Sequence, residues 1–191
     1  MTRIRLARYT FSLGLLLLSS SASVDTRITE LNFDVYLNGK LMGWHKFVLK
    51  SENGGWEVES DTNLDGRLFL FKRVSYRHTA IERWTNGCLQ SIWSETERQK
   101  VKTIVQGDLT TQGFKLNKNG VEELLPECTR TFSYWAPDLL ETDFLLDPDT
   151  ANYIPISYQK VPRDKGFSVI LQTPKAQISL EYDQDGGWQT L

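Results

Sequence analysis

Histidine, methionine and cysteine are scarce in this chain, each occurring twice among 191 residues. Two histidines are too few for a histidine-rich metal centre. Cys88 and Cys128 lie too far apart in sequence for a redox Cys-x-x-Cys pair, and two thiols alone do not make a zinc site. There is no Gly-x-Ser-x-Gly elbow, no phosphate-binding loop and no His-Glu-x-x-His pair. Gly39-Lys40-Leu41-Met42-Gly43 carries its glycines at a hairpin, where a turn explains them. Neither charge sign dominates: 22 basic residues face 24 acidic ones, a net −2. That balance argues against bulk-charge recognition of nucleic acid. No run approaches the roughly 20 apolar residues a membrane helix needs. The expectation is no metal, no cofactor, no nucleic-acid partner and no stable transmembrane anchor.

What the chain does have begins at its N-terminus. Arg3, Arg5 and Arg8 precede a short apolar block from Phe11 to Leu18, followed by the small residues Ser19 to Ser23. A basic start, a short apolar core and a small-residue site are the pattern of a cleaved secretory leader. Cleavage near Ala22 or Ser23 fits, and no cysteine follows to carry a lipid. The expected location is periplasmic or secreted, with residues 1–23 removed and 24–191 forming one β-rich domain. Loss of three arginines leaves 19 basic against 24 acidic residues, a net −5. In an oxidising compartment Cys88 and Cys128 read as one disulfide; the alternative is two buried thiols. Aromatics at 12 % are ample for a single core.

Alternation fills the remainder. Leu31, Phe33, Val35 and Leu37 share one face, and Trp56, Val58, Ser60, Thr62 and Leu64 share another. Turn residues recur every 8 to 14 positions, with Asn86-Gly87 the strongest hairpin signal. The fold expected is all-β: an antiparallel meander forming a strongly curved sheet or an open or closed barrel. Pro137 followed by Asp138 allows one short helix near 137–142.

Candidate site residues come from the face of the long strand before Asn86. Val74, Tyr76, His78, Ala80, Glu82 and Trp84 share it by period two, opposite Arg73, Arg77 and Arg83. His45 lies with Phe47 and Leu49 on its own strand, and Trp93 with Glu95 beyond the hairpin. A concave apolar surface with a few polar groups is the usual form of a ligand pocket. The expected ligand-binding set is His45, Tyr76, His78, Glu82, Trp84, Trp93 and Glu95. Histidine beside a carboxylate can do acid–base work, but each group reads equally as a hydrogen-bonded residue of a barrel wall. Asp147, Asp149 and Asn152 surround Pro148, and a turn explains them without calcium.

Four phrases carry a resemblance. Phe33-Asp34-Val35-Tyr36-Leu37-Asn38-Gly39-Lys40-Leu41-Met42-Gly43-Trp44-His45 is similar to the strand–turn–strand opening of a family of exported bacterial proteins of unknown function. Glu82-Arg83-Trp84-Thr85-Asn86-Gly87 resembles its central hairpin. Ser133-Tyr134-Trp135 and Leu145-Leu146-Asp147-Pro148-Asp149-Thr150 resemble its later landmarks. The resemblance implies a periplasmic β-rich domain and no particular activity.

Three readings follow, in this order. The first is a non-enzymatic exported protein that binds an apolar or lipid-like ligand. The second is an envelope interaction or assembly factor with an envelope protein partner, docking through Leu68–Phe71 and Tyr134–Leu146 as exposed tracts. The third is a small-molecule enzyme of barrel type using His78 or His45 with Glu82.

Overall fold

The computed structural model describes residues 27–37, 39–52, 54–69 and 72–191. The leader reading at 1–23 lies outside them, as do the side chains of Leu68–Phe71. The first eight strands are β1 (Arg27–Leu37), β2 (Lys40–Glu52), β3 (Gly55–Phe69), β4 (Lys72–Thr85), β5 (Cys88–Arg98), β6 (Val101–Thr110), β7 (Gly113–Lys118) and β8 (Val121–Leu125). Each pairs antiparallel with the next, giving one sheet in sequence order. The expected short helix is a 3-10 turn at Pro137–Leu140. β9 (Phe144–Leu146) and β10 (Tyr153–Pro155) form a small hairpin. A second meander follows: β11 (Ser157–Arg163), β12 (Gly166–Gln172), β13 (Gln177–Tyr182) and β14 (Trp188–Thr190). Among the described residues no helix is long and apolar enough to cross a membrane.

The all-β expectation holds, and two points sharpen it. β1 does not pair with β8, so the large sheet is open rather than a closed barrel. The meander is also not continuous. Pro126, Pro137, Pro148 and Pro155 fall in the segment after β8. Proline donates no ladder hydrogen bond, so this stretch crosses the inner face as a strap before the second sheet begins.

Sheet, strap and second sheet share one core. Leu89, Val105 and Phe114 meet Leu140, Leu145 and Leu146 of the strap and Val169, Leu171 and Leu180 of the second sheet, all fully buried. Trp188 closes the seam: its ring lies 4.1 Å from Phe33, and 5.5 Å from both Phe47 and Tyr134. Leu140, Leu145 and Leu146 are therefore buried in the core, and of the tract 134–146, expected as exposed, Phe144 is the large apolar residue that faces out, with Asp138, Glu141 and Asp143. The Cys88–Cys128 disulfide, with Cα atoms 4.7 Å apart, pins the start of the strap to the β4–β5 hairpin. Leu89 N–H donates to the Thr129 carbonyl beside it at 3.0 Å.

Three backbone positions set the register. Asn86 and Gly87 both have positive φ, 52° and 74°, as the tight hairpin turn requires. Gly43 has φ 154°, and a Cβ there would stand 1.9 Å from the Asn63 carbonyl oxygen. Only glycine lets β2 approach β3 so closely.

An alternating inner and outer face follows from the pleat. On β4 the even residues 78 to 84 are buried while Arg73, Arg77 and Arg83 face out. The outward arginines meet acids of β3: Arg73 pairs with Asp65 and Arg83 with Glu57. Across the hairpin, Arg83 pairs with Ser91 but Trp84 with Leu89, so Gln90 is an extra residue on β5. This bulge shifts the pairing by one position, and a one-residue shift exchanges the faces of every side chain beyond it. Ile92, Ser94 and Thr96 consequently point inward. Trp93 and Glu95, expected on the inner face, point outward.

Candidate functional site: a cavity between the sheets

Pairing register builds the site row by row. His45 of β2 stands opposite Thr62 of β3, Thr62 opposite His78 of β4, and His78 opposite Thr96 of β5. This polar row crosses four strands of an otherwise apolar face. The next row is Phe47, Ser60, Ala80 and Ser94, and the one beyond is Leu49, Val58, Glu82 and Ile92. The small Ser94 admits the strap's Pro148 carbonyl, and the small Ser60 leaves a hollow beside it. The strap and second sheet line the other side of this hollow, leaving a half-open cavity of about 440 Å³. Phe47, Val58, Leu64, Trp135, Ile154 and Ile178 give it apolar walls.

Asp149 of the strap reaches down to the polar row. Its Oδ1 lies 2.9 Å from His78 Nδ1, and its Oδ2 accepts from the Tyr76 hydroxyl at 2.7 Å and the Arg98 guanidinium at 3.1 Å. Burial works to raise the Asp149 pKa. Hydrogen bonds from His78 and Tyr76 and the charges of His78 and Arg98 outweigh it, holding the carboxyl below its ordinary range. A carboxylate at Nδ1 fixes the proton there and leaves Nε2 as the nitrogen free for the cavity. Thr96 Oγ1 lies 2.9 Å from the same Nδ1. Ser94 donates to the Pro148 carbonyl at 2.7 Å, fixing the strap turn that delivers Asp149.

His45 behaves differently. Its ring packs on Phe47 with centroids 4.1 Å apart. Among the described residues its Nε2 is the one buried side-chain nitrogen or oxygen without a hydrogen-bond partner. Burial pushes its pKa down to about 4; the nearby charge of His78 adds to this and Asp149 opposes it. Glu82 is buried at the other end of the cavity, where its Oε2 accepts from Trp84 Nε1 and Thr131 Oγ1, both at 3.1 Å. Burial pushes its pKa up to about 7, against those two hydrogen bonds.

Of the seven expected site residues, His45, Tyr76, His78 and Glu82 line this one cavity. Trp84 is adjacent but belongs to the core, 2 % exposed and packed edge-on to Trp135. Trp93 is 37 % exposed on the outer face, and Glu95 pairs there with Lys102 at 2.7 Å. Neither histidine bonds Glu82. The acid that partners a histidine is Asp149, which the sequence presents as a turn residue next to Pro148. Its signal, visible in retrospect, is an acidic pair embedded in an apolar, proline-bearing segment. Among the described residues no three histidine, cysteine or acidic side chains cluster in a metal-binding arrangement.

Fold and site together define an all-β protein whose two antiparallel meanders and connecting strap line a half-open apolar cavity crossed by a polar row. The chain belongs to the family described as a domain of unknown function, DUF6134, whose model matches residues 33–191. Comparison with curated proteins and with solved structures gives no match.

Proposed function

We propose that this is an exported, non-enzymatic envelope protein that binds an apolar or lipid-like ligand in the cavity between its sheets. The cavity carries the reading. Its volume of about 440 Å³ falls within the roughly 300–1,000 Å³ of small-molecule sites, and apolar walls with few polar groups are their usual lining. A single-chain lipid or a compact polycyclic ligand suits that size better than a diacyl lipid. Export is supported by the basic, apolar and small-residue order of residues 1–23 and by the disulfide, which persists in oxidising compartments.

The test is fluorescence of N-phenylnaphthylamine, which brightens in apolar surroundings, with native mass spectrometry of the freshly purified protein. Saturable brightening that Ser60→Phe abolishes is the expected result, because Ser60 lines the cavity and the added ring fills it. Equal brightening in the variant, or none in the parent, refutes the reading.

A second reading rests on one observation, the His78–Asp149 pair at the cavity wall. A carboxylate-oriented imidazole can move a proton on a bound molecule. Exchange of the α-protons of a cavity-bound ketone for deuterium in deuterated water, lost in His78→Gln, would favour it.

A further inference from the structure

Charge around the cavity narrows the class of its occupant. No lysine or arginine lines it, whereas Glu82, Asp147 and Asp149 do. Asp149 is answered by His78 and Arg98. Asp147 is not. Its Oδ1 accepts from the Asp149 amide and its Oδ2 from Thr150 Oγ1, and among the described residues no cationic side chain pairs with it. A carboxylate offers about four lone-pair sites, so two uncharged donors leave it with its charge uncompensated and room to accept more. Tyr134 also lines the cavity. Its hydroxyl has no hydrogen-bond partner among the described residues, yet it is not sealed off as His45 Nε2 is. Burial raises the pKa of this phenol, and the charges of Asp147 and Asp149 raise it further, which places it in the field of both carboxylates.

A hydrocarbon occupant would strip water from Asp147 and return nothing, and burying an uncompensated charge is costly. A carboxylate or phosphate head adds repulsion to that cost. A hydroxyl head restores a hydrogen bond but no charge. An ammonium head restores both, and aromatic rings such as those of Phe132, Tyr134 and Trp135 favour a cation further. Resting on the cavity-binding reading, we propose that the occupant is a cationic amphiphile, a long-chain amine, whose ammonium head is held by the Asp147 carboxylate and the Tyr134 hydroxyl. The ammonium brings three donors to these two acceptors. Its chain is left the apolar walls at Phe47, Val58 and Ile178.

Displacement of N-phenylnaphthylamine by decylammonium, decanol and decanoate, matched in chain length, tests this on the parent protein at neutral pH. Decylammonium should displace the fluorophore at about tenfold lower concentration than decanol, with decanoate the weakest. Asp147→Asn keeps the side chain's size and an oxygen for the Asp149 amide. It should bring decylammonium level with decanol while decanol displaces as it does in the parent. Tyr134→Phe keeps the ring and should reduce the preference by about threefold. Decanol or decanoate displacing as well as decylammonium, or an undiminished preference in Asp147→Asn, overturns the head-group assignment and leaves the cavity reading intact. If Asp147→Asn weakens decanol as well, Tyr134→Phe decides, and an unchanged preference there overturns the assignment. A parent protein that never brightens the fluorophore overturns both.

Discussion

Substitution of Glu82 or His45 should expose a pH dependence of stability that the parent protein hides. Glu82 is held at about 7 in the folded state against an ordinary 4.5. Between those values the folded chain keeps a proton that the unfolded chain has lost, so Glu82 makes stability fall as pH rises. His45 is held at about 4 against an ordinary 6.5. Between those values the unfolded chain holds the extra proton, so His45 makes stability rise with pH. Each displacement converts to about 3 kcal/mol at 1.36 kcal/mol per pH unit. The windows overlap from 4.5 to 6.5, and there the two slopes cancel. Asp149 titrates below that overlap and leaves it undisturbed. Urea denaturation of the parent across the overlap should therefore give a nearly flat stability. Glu82→Gln should lose about 3 kcal/mol as pH falls from 6.5 to 4. His45→Phe should gain about as much as pH falls from 7 to 4.5. The double variant should return to a flat profile. Single-variant curves that run parallel to the parent would refute the opposed-burial account.

Other expectations follow from the disulfide, the close strand approach and the bulge. Cys88→Ser with Cys128→Ser opens a 40-residue separation and should cost about 4 kcal/mol by chain entropy, read as a lower urea midpoint; a loss under about 1 kcal/mol would mean that packing alone holds the strap. Gly43→Ala sets a methyl against the Asn63 carbonyl and should cost at least about 3 kcal/mol, lowering the melting temperature by roughly 6–12 °C; an unchanged melting point would contradict the tight β2–β3 contact. Trp84→Ala should cost about 3–5 kcal/mol and Trp93→Ala under about 1 kcal/mol, because the alternation of β4 places Trp84 inside and the bulge at Gln90 turns Trp93 outside. Equal losses in denaturation would show that the register is not the one described.

Much of the large sheet was legible because period-two alternation is a direct consequence of the pleat. Leu31 to Val35, the 56–64 face and the 74–84 face all sit where alternation puts them. Asn86-Gly87 was equally plain, since few other dipeptides accept two positive φ values in succession. Trp93 and Glu95 share the face of Leu89 only if period two runs unbroken through β5; the extra residue, Gln90, interrupts it and exchanges the faces beyond. The strap defeats the same approach for a different reason. Its residues follow no period, and contacts such as Asp149 with His78 are set by where a proline-rich crossing descends onto the sheet. The disulfide lay between these cases: the export expected from residues 1–23 made it reasonable, but only the path of the strap brings Cys128 beside Cys88.

The strap also orders events in folding. Neighbouring strands of the large sheet pair through short turns, so those contacts close small loops and form cheaply. The contacts that complete the cavity are far apart in sequence: Tyr76 with Asp149 spans 73 residues, Ser94 with Pro148 spans 54, and Glu82 with Thr131 spans 49. A sheet formed first would expose its inner apolar face until the strap arrives, a sticky intermediate of the kind that aggregates. Oxidation of Cys88 with Cys128 tethers the strap at its near end and shortens the search that remains. On that order of events the covalent tie that stabilises the finished protein would also protect the unfinished one, and the timing of oxidation would matter as much as its energy.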